Sequence, residues 1–282
     1  MNTVGIFTKP SHSQAEVLAS RCVAWFAQQG IKTLALKETA STIGAQSCTP
    51  ERLREEIQLA VVFGGDGTLI AAARQLEARP IPILGVNLGR LGFMAEVSPE
   101  NIFPILKKVI SGDFTISERM ALSATVWRAG QEIARVRALN DIVITKGALA
   151  RIIDIETRID DVPATFRADG LIVATPTGST AYNLAAGGPI VSPELRCLIV
   201  TPICPHTLTN RPLIVPEQEV IRVTVRHDEQ NAVYATADGQ VGVPLKNRDE
   251  VEIRSVHPGV QLIRGQEYSY FEVLRRKLHW GI

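Results

Sequence analysis

The sequence lacks an excess of charge of either sign. Its 282 residues include 30 Lys and Arg against 29 Asp and Glu, which leaves a formal net charge of +1. Proteins that bind nucleic acids or anionic membranes usually carry a marked excess of basic residues. We therefore expect neither a nucleic acid nor a membrane as a partner, although locally placed positive charge can still hold an anionic small molecule.

Long apolar runs and paired cysteines are also missing. The run Leu59–Phe63 is among the longest and is far shorter than the roughly 20 residues that cross a bilayer. The N-terminus has no basic stretch followed by an apolar one, so it does not resemble a secretory signal. None of the four cysteines forms a Cys-x-x-Cys pair, and we expect reduced thiols and no zinc site. These absences predict a cytoplasmic protein.

The first 118 residues alternate between strand-like and helix-like patterns. Thr3–Thr8 is an apolar, β-branched run, and residues 13–16 have the spacing of a helix capping box, with Gly30 placed to end that helix. Thr49 followed by Pro50 is typical of an N-cap with proline at the first helical position. Strands are further predicted at 31–36, 58–63 and 81–86, and a helix from Ser98 towards Gly112. This alternation predicts a Rossmann-like parallel sheet with helices on its faces.

The pattern changes near residue 119, where short β-rich runs replace the alternation. One helix candidate, which starts near Ser179, interrupts them. We therefore predict an α/β domain over residues 1–118 and a mostly β domain over residues 119–259. The composition of residues 268–277 predicts a C-terminal helix, and residues 260–282 are expected to pack back on the first domain. The β-rich runs are 121–127, 132–139, 141–145, 152–159, 171–174, 213–215, 220–225, 232–236 and 250–254.

The most informative short motif is Gly64-Gly65-Asp66-Gly67-Thr68, the glycine-rich loop, which follows a predicted strand and precedes a predicted helix. Its glycines allow a sharp turn that brings backbone N–H groups close to a ligand, and the helix N-terminus favours phosphate. An Asp in a phosphate cradle is unfavourable on charge alone, but it is explained if Asp66 binds Mg²⁺ or accepts a proton. The alternative is a tight turn that binds no ligand.

Residues 175–182, the hydroxyl-rich turn, connect a predicted strand to the helix candidate. Five of these eight residues carry a hydroxyl group, more than one helix cap uses, so we expect free hydroxyls to face a ligand. Ser179 or Thr180 is predicted as the N-cap. The alternative is a well-capped turn without a ligand, just as a β-turn is the alternative explanation of the pair Asn140-Asp141 after Leu139.

Together these motifs resemble those of the NAD kinase family. That family combines GGDGT with an Asn-Glu or Asn-Asp pair and the sequence TPTGSTAY, which match residues 64–68, 140–141 and 175–182. The resemblance extends from about Gly5 to Gly281, whereas lipid kinases share only the glycine-rich loop. Further matching segments are Gly187-Gly188-Pro189-Ile190, Thr201-Pro202-Ile203-Cys204-Pro205-His206, Asn210-Arg211-Pro212-Leu213, Asp238-Gly239-Gln240 and Leu278-His279-Trp280-Gly281.

The resemblance implies transfer of the terminal phosphate of ATP, or of another phosphoryl donor, to the 2′-hydroxyl of the adenosine ribose of NAD, giving NADP. It implies Asp66 as the general base, Mg²⁺ as the divalent metal without naming its ligands, NAD binding by residues 119–259, and a homo-oligomer, either a dimer or a tetramer. The residues that it implies in substrate binding are Gly64, Gly65, Asp66, Gly67, Thr68, Asn140, Asp141, Arg151, Arg167, Asp169, Thr180, Ala181, Tyr182, Asn183, Leu184, Ala185 and Gln240.

Two other hypotheses stay open. A lipid or sphingoid kinase of the same superfamily predicts an exposed apolar entry surface, which the sequence does not show. A non-catalytic NAD(H)-sensing protein would keep the pocket but would gain nothing from an unpaired Asp66 carboxylate beside phosphates. Asn183 stands where the family commonly has Ser, so its individual role is open, and we expect a structural role for His206.

Overall fold

The computed structural model describes residues 1–9, 12–76, 79–89, 91–147, 152–160, 162–207, 209–227, 232–265 and 269–281. The chain divides into two compact units. The first unit comprises Met1–Glu118 together with Val260–Ile282, and the second comprises Arg119–Gly259. The C-terminal segment therefore belongs to the first unit.

Helices and strands alternate in the first unit, and strands dominate the second. The helices are α1 (Ser13–Gln28), α2 (Lys37–Ile43), α3 (Pro50–Glu56), α4 (Asp66–Leu76), α5 (Ile102–Ser111), α6 (Tyr182–Ala185) and α7 (Tyr270–Leu278), with 3₁₀ turns at Pro99–Asn101 and Thr177–Thr180. The strands are β1 (Thr3–Thr8), β2 (Lys32–Leu36), β3 (Gln46–Cys48), β4 (Leu59–Phe63), β5 (Ile83–Val86), β6 (Ile116–Arg128), β7 (Gln131–Ala138), β8 (Asp141–Lys146), β9 (Ile153–Ile159), β10 (Val162–Ala168), β11 (Gly170–Ala174), β12 (Cys197–Ile203), β13 (Leu213–Pro216), β14 (Ile221–Arg226), β15 (Val233–Ala237), β16 (Val241–Leu245) and β17 (Glu250–Ile263).

The first unit is built on a parallel sheet with the strand order β3-β2-β1-β4-β5, and Leu262 at the end of β17 pairs in parallel with Ile83 of β5. Its inner strands β4 and β5 are buried along their whole length because helices cover the sheet; Phe26 of α1, Phe63 of β4 and Leu84 of β5 are completely buried. The predicted α/β class with a parallel sheet is confirmed.

The starts and ends of the helices follow local chemistry, with one correction. Thr49 caps α3 as predicted, since its side chain accepts a hydrogen bond from the backbone N–H of Arg52. The capping box predicted at residues 13–16 is wrong. His12 is the N-cap of α1, because its Nδ1 accepts from the N–H of Ala15 at 3.3 Å, and Ser13 is already helical.

The carboxyl ends of β1, β4 and β5 lie at one edge of the parallel sheet. The N–H of Gly64, directly after β4, donates to the carbonyl of Val86 at the end of β5 at 3.0 Å. The segments that follow these three strands therefore emerge side by side. In open α/β sheets this edge is where ligands bind.

The second unit is mostly β, as predicted. A six-stranded antiparallel sheet has the order β13-β12-β11-β8-β15-β16, and a second antiparallel set has the order β10-β9-β14-β17. The central strands β8 and β11 are buried on both faces, with Ile142 and Val173 in one apolar cluster and Val143 in another. The helix predicted near Ser179 is reduced to a 3₁₀ turn followed by the single turn α6.

A buried ion pair closes the turn between β16 and β17. Asp249 is 1% exposed, and its carboxylate accepts hydrogen bonds from Nε and Nη2 of Arg128 at 2.9 and 2.7 Å and from the N–H of Lys246 at 2.8 Å. Burial alone would raise the pKa of Asp249, but the hydrogen bonds from Arg128 and Lys246 hold it below its usual value. The charged form is therefore the stable one in this turn.

We predict that Asp249→Asn lowers the free energy of unfolding by about 2 to 3 kcal/mol, since it removes a charge-assisted hydrogen bond and leaves Arg128 without its carboxylate. Chemical unfolding followed by circular dichroism measures this loss. The control is Glu132→Gln, which breaks the exposed ion pair with Arg135 and is expected to change stability little. Equal losses in the two variants would contradict the prediction.

Candidate functional site

A cleft of about 580 Å³ opens at the carboxyl edge of the parallel sheet. The glycine-rich loop lies on one side of it, the segment after β1 on another, and the segment after β5 on a third. Lys9 brings a positive charge and His12 an imidazole ring to its wall, and the N-terminus of α4 lies at the cleft with its partial positive charge. The lining residues are Thr8, Lys9, His12, Gly64, Gly65, Gly67, Thr68, Ala71, Gln75, Asn87, Leu88 and Gly89.

The three glycines of the loop are explained by two different structural requirements. A Cβ on Gly64 would stand 2.5 Å from Oγ1 of Thr68, so the turn into α4 closes only around a glycine. A Cβ on Gly65 or Gly67 would meet nothing within 4 Å and would project into open space at the cleft. These two positions keep the backbone N–H groups accessible to an anionic ligand.

The carboxylate of Asp66, at the start of α4, is bound by the backbone of residues 92–95, which we call the Phe93 loop. Oδ2 accepts from the N–H of Phe93 at 2.8 Å, and Oδ1 accepts from Met94 and Ala95 at 3.1 and 3.2 Å. The expectation of an unpaired carboxylate at Asp66 is therefore wrong. A carboxylate has about four lone-pair positions, so about one remains for a hydroxyl group or a metal.

The Phe93 loop can approach Asp66 because it contains Gly92, where a Cβ would stand 2.2 Å from Oδ1 of Asp66. Helix α7 contacts the loop from its other side. The Phe93 ring centroid lies 6.3 Å from that of Tyr270, and Nζ of Lys277 lies 4.8 Å from the Phe93 centroid. The sequence analysis missed this loop, although Gly92 followed by three apolar residues was a visible signal.

In the second unit, three segments meet at one end of the six-stranded sheet: residues 139–141 (the Asn-Asp turn), the hydroxyl-rich turn after β11, and the turn after β15. The register requires this, because Asp141 pairs with Ala174 and Ile142 pairs with Ala237. The N–H of Thr175 donates to the carbonyl of Asn140 at 2.8 Å. The structure thus brings Asn140 and Asp141 together with the hydroxyl-rich turn.

Asp141 is a buried acid, 3% exposed, at the first position of β8. Burial, together with the nearby negative charge of Asp238, raises its pKa from 3.8 to about 7. Beside it, Oδ1 of Asn140 is buried and has no hydrogen-bond partner among the residues that the structure describes. A buried acceptor without a partner is costly, so this oxygen is a candidate for a ligand contact.

The prediction of free hydroxyls in the hydroxyl-rich turn is wrong for Thr175 and Ser179, which are completely buried. Oγ1 of Thr175 donates to the carbonyl of Leu139 at 2.6 Å and accepts from the N–H of Gly178. Oγ of Ser179 both donates to and accepts from the backbone of Val191, at 3.1 and 3.0 Å. Neither Ser179 nor Thr180 is the N-cap of α6, since that position is Ala181. These hydroxyls hold the turn instead of facing outwards.

The side chain of Asn183 is also turned inwards. Its Nδ2 donates to the carbonyls of Ser179 and Pro189, both at 3.1 Å, and its Oδ1 accepts from Oγ1 of Thr201 at 2.7 Å. A Cβ on Gly188 would stand 2.0 Å from that Oδ1. The amide of Asn183 therefore supports the segment between α6 and β12, and the structure gives it a structural role.

The other predicted residues are more scattered. Asp169 precedes β11, whereas the hydroxyl-rich turn follows it, a separation of roughly 15 to 20 Å along an extended strand. There Asp169 lies 3.5 Å from Nζ of Lys146, and Nε of Arg167 lies 4.0 Å from the exposed Asp154. Arg151 lies outside the described residues. Tyr182, Ala185, Gln240 and His206 are exposed, and Thr180, Ala181 and Leu184 are half-buried.

Clusters of metal-ligating side chains and membrane-spanning helices are both missing from the described residues. No group of three or more His, Cys, Asp or Glu side chains in the described ranges is placed to hold a metal ion. None of the helices within those ranges is long and apolar enough to cross a membrane. The four cysteines are free thiols, and burial raises the pKa of Cys22 to about 12.

The chain is similar to proteins of known activity along its whole length. The sequence patterns of the ATP-NAD kinase N-terminal domain and the ATP-NAD kinase C-terminal domain match residues 4–114 and 139–265. The NAD kinase of Syntrophotalea carbinolica is 49% identical over 284 residues, which cover 100% of this chain and 99% of that protein. The NAD kinase of Geobacter sulfurreducens is 47% identical over 283 residues with the same coverage.

Two solved structures share the fold. A yeast NADH kinase complexed with NADH has a TM-score of 0.92 and 25% sequence identity, covering 100% of this chain and 88% of the yeast chain. An NAD kinase from Archaeoglobus fulgidus in complex with ATP has a TM-score of 0.77 and 28% identity, covering 99% of each chain. The glycine-rich loop and the Asn-Asp turn lie within the matched regions.

We predict that Asp141 makes the protein less stable as the pH rises. Between its usual pKa of 3.8 and its folded value of about 7, the unfolded chain is ionised while the folded chain keeps its proton. Stability is therefore lost as the pH rises through this window, and the loss is complete above it. Asp141→Asn lacks this titration, so relative to wild type it should gain about 2 to 3 kcal/mol between pH 5 and pH 8.

Urea unfolding at the two pH values measures this difference. The control is Asp154→Asn, which changes an exposed carboxylate in the same unit and should show no comparable gain. If the stability difference between Asp141→Asn and wild type were the same at pH 5 and pH 8, the carboxyl group would not be titrating as described.

Proposed function

The chain belongs to the ATP-NAD kinase family, and on this premise we propose that it transfers the terminal phosphate of ATP to the 2′-hydroxyl of the adenosine ribose of NAD, giving NADP. The observation that carries the proposal is the cleft at the start of α4, where Gly65 and Gly67 leave the loop backbone open to a ligand next to the carboxylate of Asp66. The similarity covers the whole chain and not the glycine-rich loop alone, which favours this activity over that of a lipid kinase.

We assign the phosphates of ATP to this cleft. Gly65 and Gly67 leave the backbone open to an anion, the N-terminus of α4 contributes partial positive charge, and Lys9 adds a full one. Sequence reasoning named the loop but missed Lys9 and His12, which follow β1. The one sequence feature that could have identified these two residues is their position after a buried parallel strand, at the edge of the sheet where ligands bind.

We assign the adenosine of NAD to the Asn-Asp turn of the second unit. The amide of Asn140 matches the donor and acceptor edge of adenine, and its Oδ1 is buried without a described partner. The carboxyl group of Asp141 has a pKa of about 7, so near neutral pH it both accepts and donates hydrogen bonds to ribose hydroxyls. Asn183 has an indirect part in NAD binding, because its amide holds the segment between α6 and β12 in place.

We propose that Asp66 accepts the proton of the 2′-hydroxyl as the phosphoryl group is transferred. Three of its lone-pair positions are bound to the Phe93 loop, so the carboxylate is fixed in orientation and the remaining position serves the hydroxyl. Phosphoryl transfer needs little covalent chemistry from the protein, so positioning and charge stabilisation supply most of the rate. Because Asp66 is bound by the Phe93 loop, its carboxylate would be of use to a non-catalytic NAD(H) sensor too, and it is membership of the kinase family that favours an enzyme.

Mg²⁺ is the divalent metal that we propose for the reaction. Mg²⁺ is commonly bound largely through substrate phosphates and waters, and this suits a protein in whose described ranges no group of three or more ligating side chains is placed to hold a metal ion. When bound with ATP it would neutralise the charge of the phosphates. The protein's own part is to orient the triphosphate through the glycine-rich loop.

We also propose a cytoplasmic homo-oligomer, a dimer or a tetramer. Free thiols are usual in the cytoplasm. The end strand β13 of the six-stranded sheet exposes Leu213 and Ile214, each about half accessible, and an exposed apolar edge strand is commonly covered by another chain.

The activity is tested by incubating the purified protein with NAD, ATP and Mg²⁺ and measuring NADP with an NADP-specific dehydrogenase. We expect NADP to form only when all three are present. Parallel reactions with diacylglycerol or sphingosine in place of NAD test the lipid-kinase alternative by phosphate transfer from labelled ATP. A folded protein that phosphorylates a lipid but yields no NADP would overturn the proposal.

We predict that Asp66→Asn lowers kcat by at least ~10²-fold, because the amide cannot take the hydroxyl proton. The amide also disturbs the Phe93 loop, since its NH₂ group cannot accept the loop's N–H bonds. Gly92→Ala is therefore the matched control: it crowds the same contact but keeps the carboxylate. If both variants lost activity equally, Asp66 would act only by holding the loop, and near-wild-type turnover of Asp66→Asn would exclude both roles.

A further inference from the structure

Asp238 occupies an unusual turn at the edge of the six-stranded sheet. It begins the connection between β15 and β16, and both Asp238 and Gly239 have positive φ angles, +53° and +62°. Two successive residues in this region are typical of a tight hairpin turn, in which an Asp-Gly pair is favoured. The backbone N–H of Asp238 donates to the carbonyl of Asp141 at 3.0 Å, so this hairpin is tied to the Asn-Asp turn.

The carboxylate of Asp238 accepts three consecutive backbone N–H groups. Oδ1 accepts from Leu139 at 3.1 Å, from Asn140 at 2.7 Å and from Asp141 at 3.3 Å, and Oδ2 accepts from Leu139 at 3.0 Å. Consecutive N–H groups that point the same way form an anion-binding concavity, which a strand cannot satisfy by itself. The conformation of residues 139–141 therefore depends on a negative charge at position 238.

The opposite side of the Asn-Asp turn is fixed by close packing. The carbonyl of Asn140 accepts from Thr175, and a Cβ on Gly178 would stand 2.1 Å from that oxygen. Asn140 thus has its N–H held by Asp238 and its carbonyl held against the hydroxyl-rich turn. With both ends of the residue fixed, the direction of its amide side chain is set by the backbone.

We propose that Asp238 is a positioning residue for NAD, which acts by holding the backbone of Leu139, Asn140 and Asp141 so that the last two side chains meet the adenosine. The inference rests on the proposed function and extends it to a residue outside the predicted binding set. Asp238 itself needs no contact with NAD in this role.

A second consequence distinguishes this role from simple support of the fold. Asp141 lies between β11 and β15, and of the charged groups in the described residues Asp238 is the one whose charge acts on it, in addition to burial. Removing that charge lowers the pKa of Asp141. The pH dependence of NAD binding should therefore move to lower pH when Asp238 is neutral.

The test compares Asp238→Asn with Asp249→Asn in the purified, full-length protein. Asp249 is also a carboxylate that accepts a backbone N–H in a turn of the same unit, but its partners are Lys246 and Arg128. We expect Asp238→Asn to raise KM for NAD about tenfold or more while KM for ATP stays within about twofold of wild type. Asp249→Asn should lower the unfolding midpoint and leave both KM values near wild type.

A double-mutant cycle with Asn140→Ala tests the route through the turn. If Asp238 acts through Asn140, adding Asp238→Asn to Asn140→Ala should raise KM for NAD much less than it does in the wild-type background. The pH profile of KM for NAD should also shift to lower pH in Asp238→Asn. Fully additive effects, or equal KM changes in the Asp238 and Asp249 variants, would overturn the inference.

Three further outcomes have defined consequences for the inference. If Asp238→Asn does not fold, Asp238→Ser replaces it in the test: it removes the charge but keeps one small hydrogen-bond acceptor, and an unchanged KM for NAD would overturn the inference. If the wild-type protein forms no NADP, the proposed function fails and the inference fails with it. If the wild type forms NADP and Asp238→Asn binds NAD normally, only the inference fails.

Discussion

Backbone N–H groups that belong to no helix or strand must find an acceptor, and in this protein two aspartates supply it for both candidate binding sites. Asp66 accepts the N–H groups of the Phe93 loop in the first unit, and Asp238 accepts those of the Asn-Asp turn in the second. Each carboxylate sits at the end of a regular element, and each bound segment lies far away in sequence. Side-chain charge thus fixes segments that the sheet hydrogen bonds leave undetermined.

Glycines make these contacts possible because the carboxylates and carbonyls involved leave no room for a Cβ. Gly92 admits the Phe93 loop to Asp66, and Gly178 admits the hydroxyl-rich turn to the carbonyl of Asn140. Side chains of the same loops then add contacts, since the Phe93 ring lies against Tyr270 and the hydroxyls of Thr175 and Ser179 bond to the backbone. These glycines are therefore needed for the packing of the loops, whatever ligand the loops bind.

The sequence predicted the features whose causes are local. The parallel sheet, the Thr49-Pro50 helix start and the β-rich second part follow from patterns within a few residues, and NAD kinase chemistry followed from the motif resemblance. The short elements α2 and β3 were missed because seven and three residues show no clear period. The free hydroxyls were wrong because their partners, such as Val191, lie elsewhere in the chain. His12 displaced the predicted capping box because its imidazole Nδ1 accepts the N–H of Ala15, so that the helix is capped one residue earlier.

The contact between Asn183 and Gly188 has a consequence for how this chain can change. A methyl group at position 188 would overlap the amide oxygen of Asn183, and that amide is bonded on three sides. Position 188 therefore accepts a larger residue only after position 183 has become smaller, and the hydroxyl of Thr201 would then need a new acceptor. The order in which substitutions arrive at these sites decides whether an intermediate sequence folds, so the three positions form one epistatic unit.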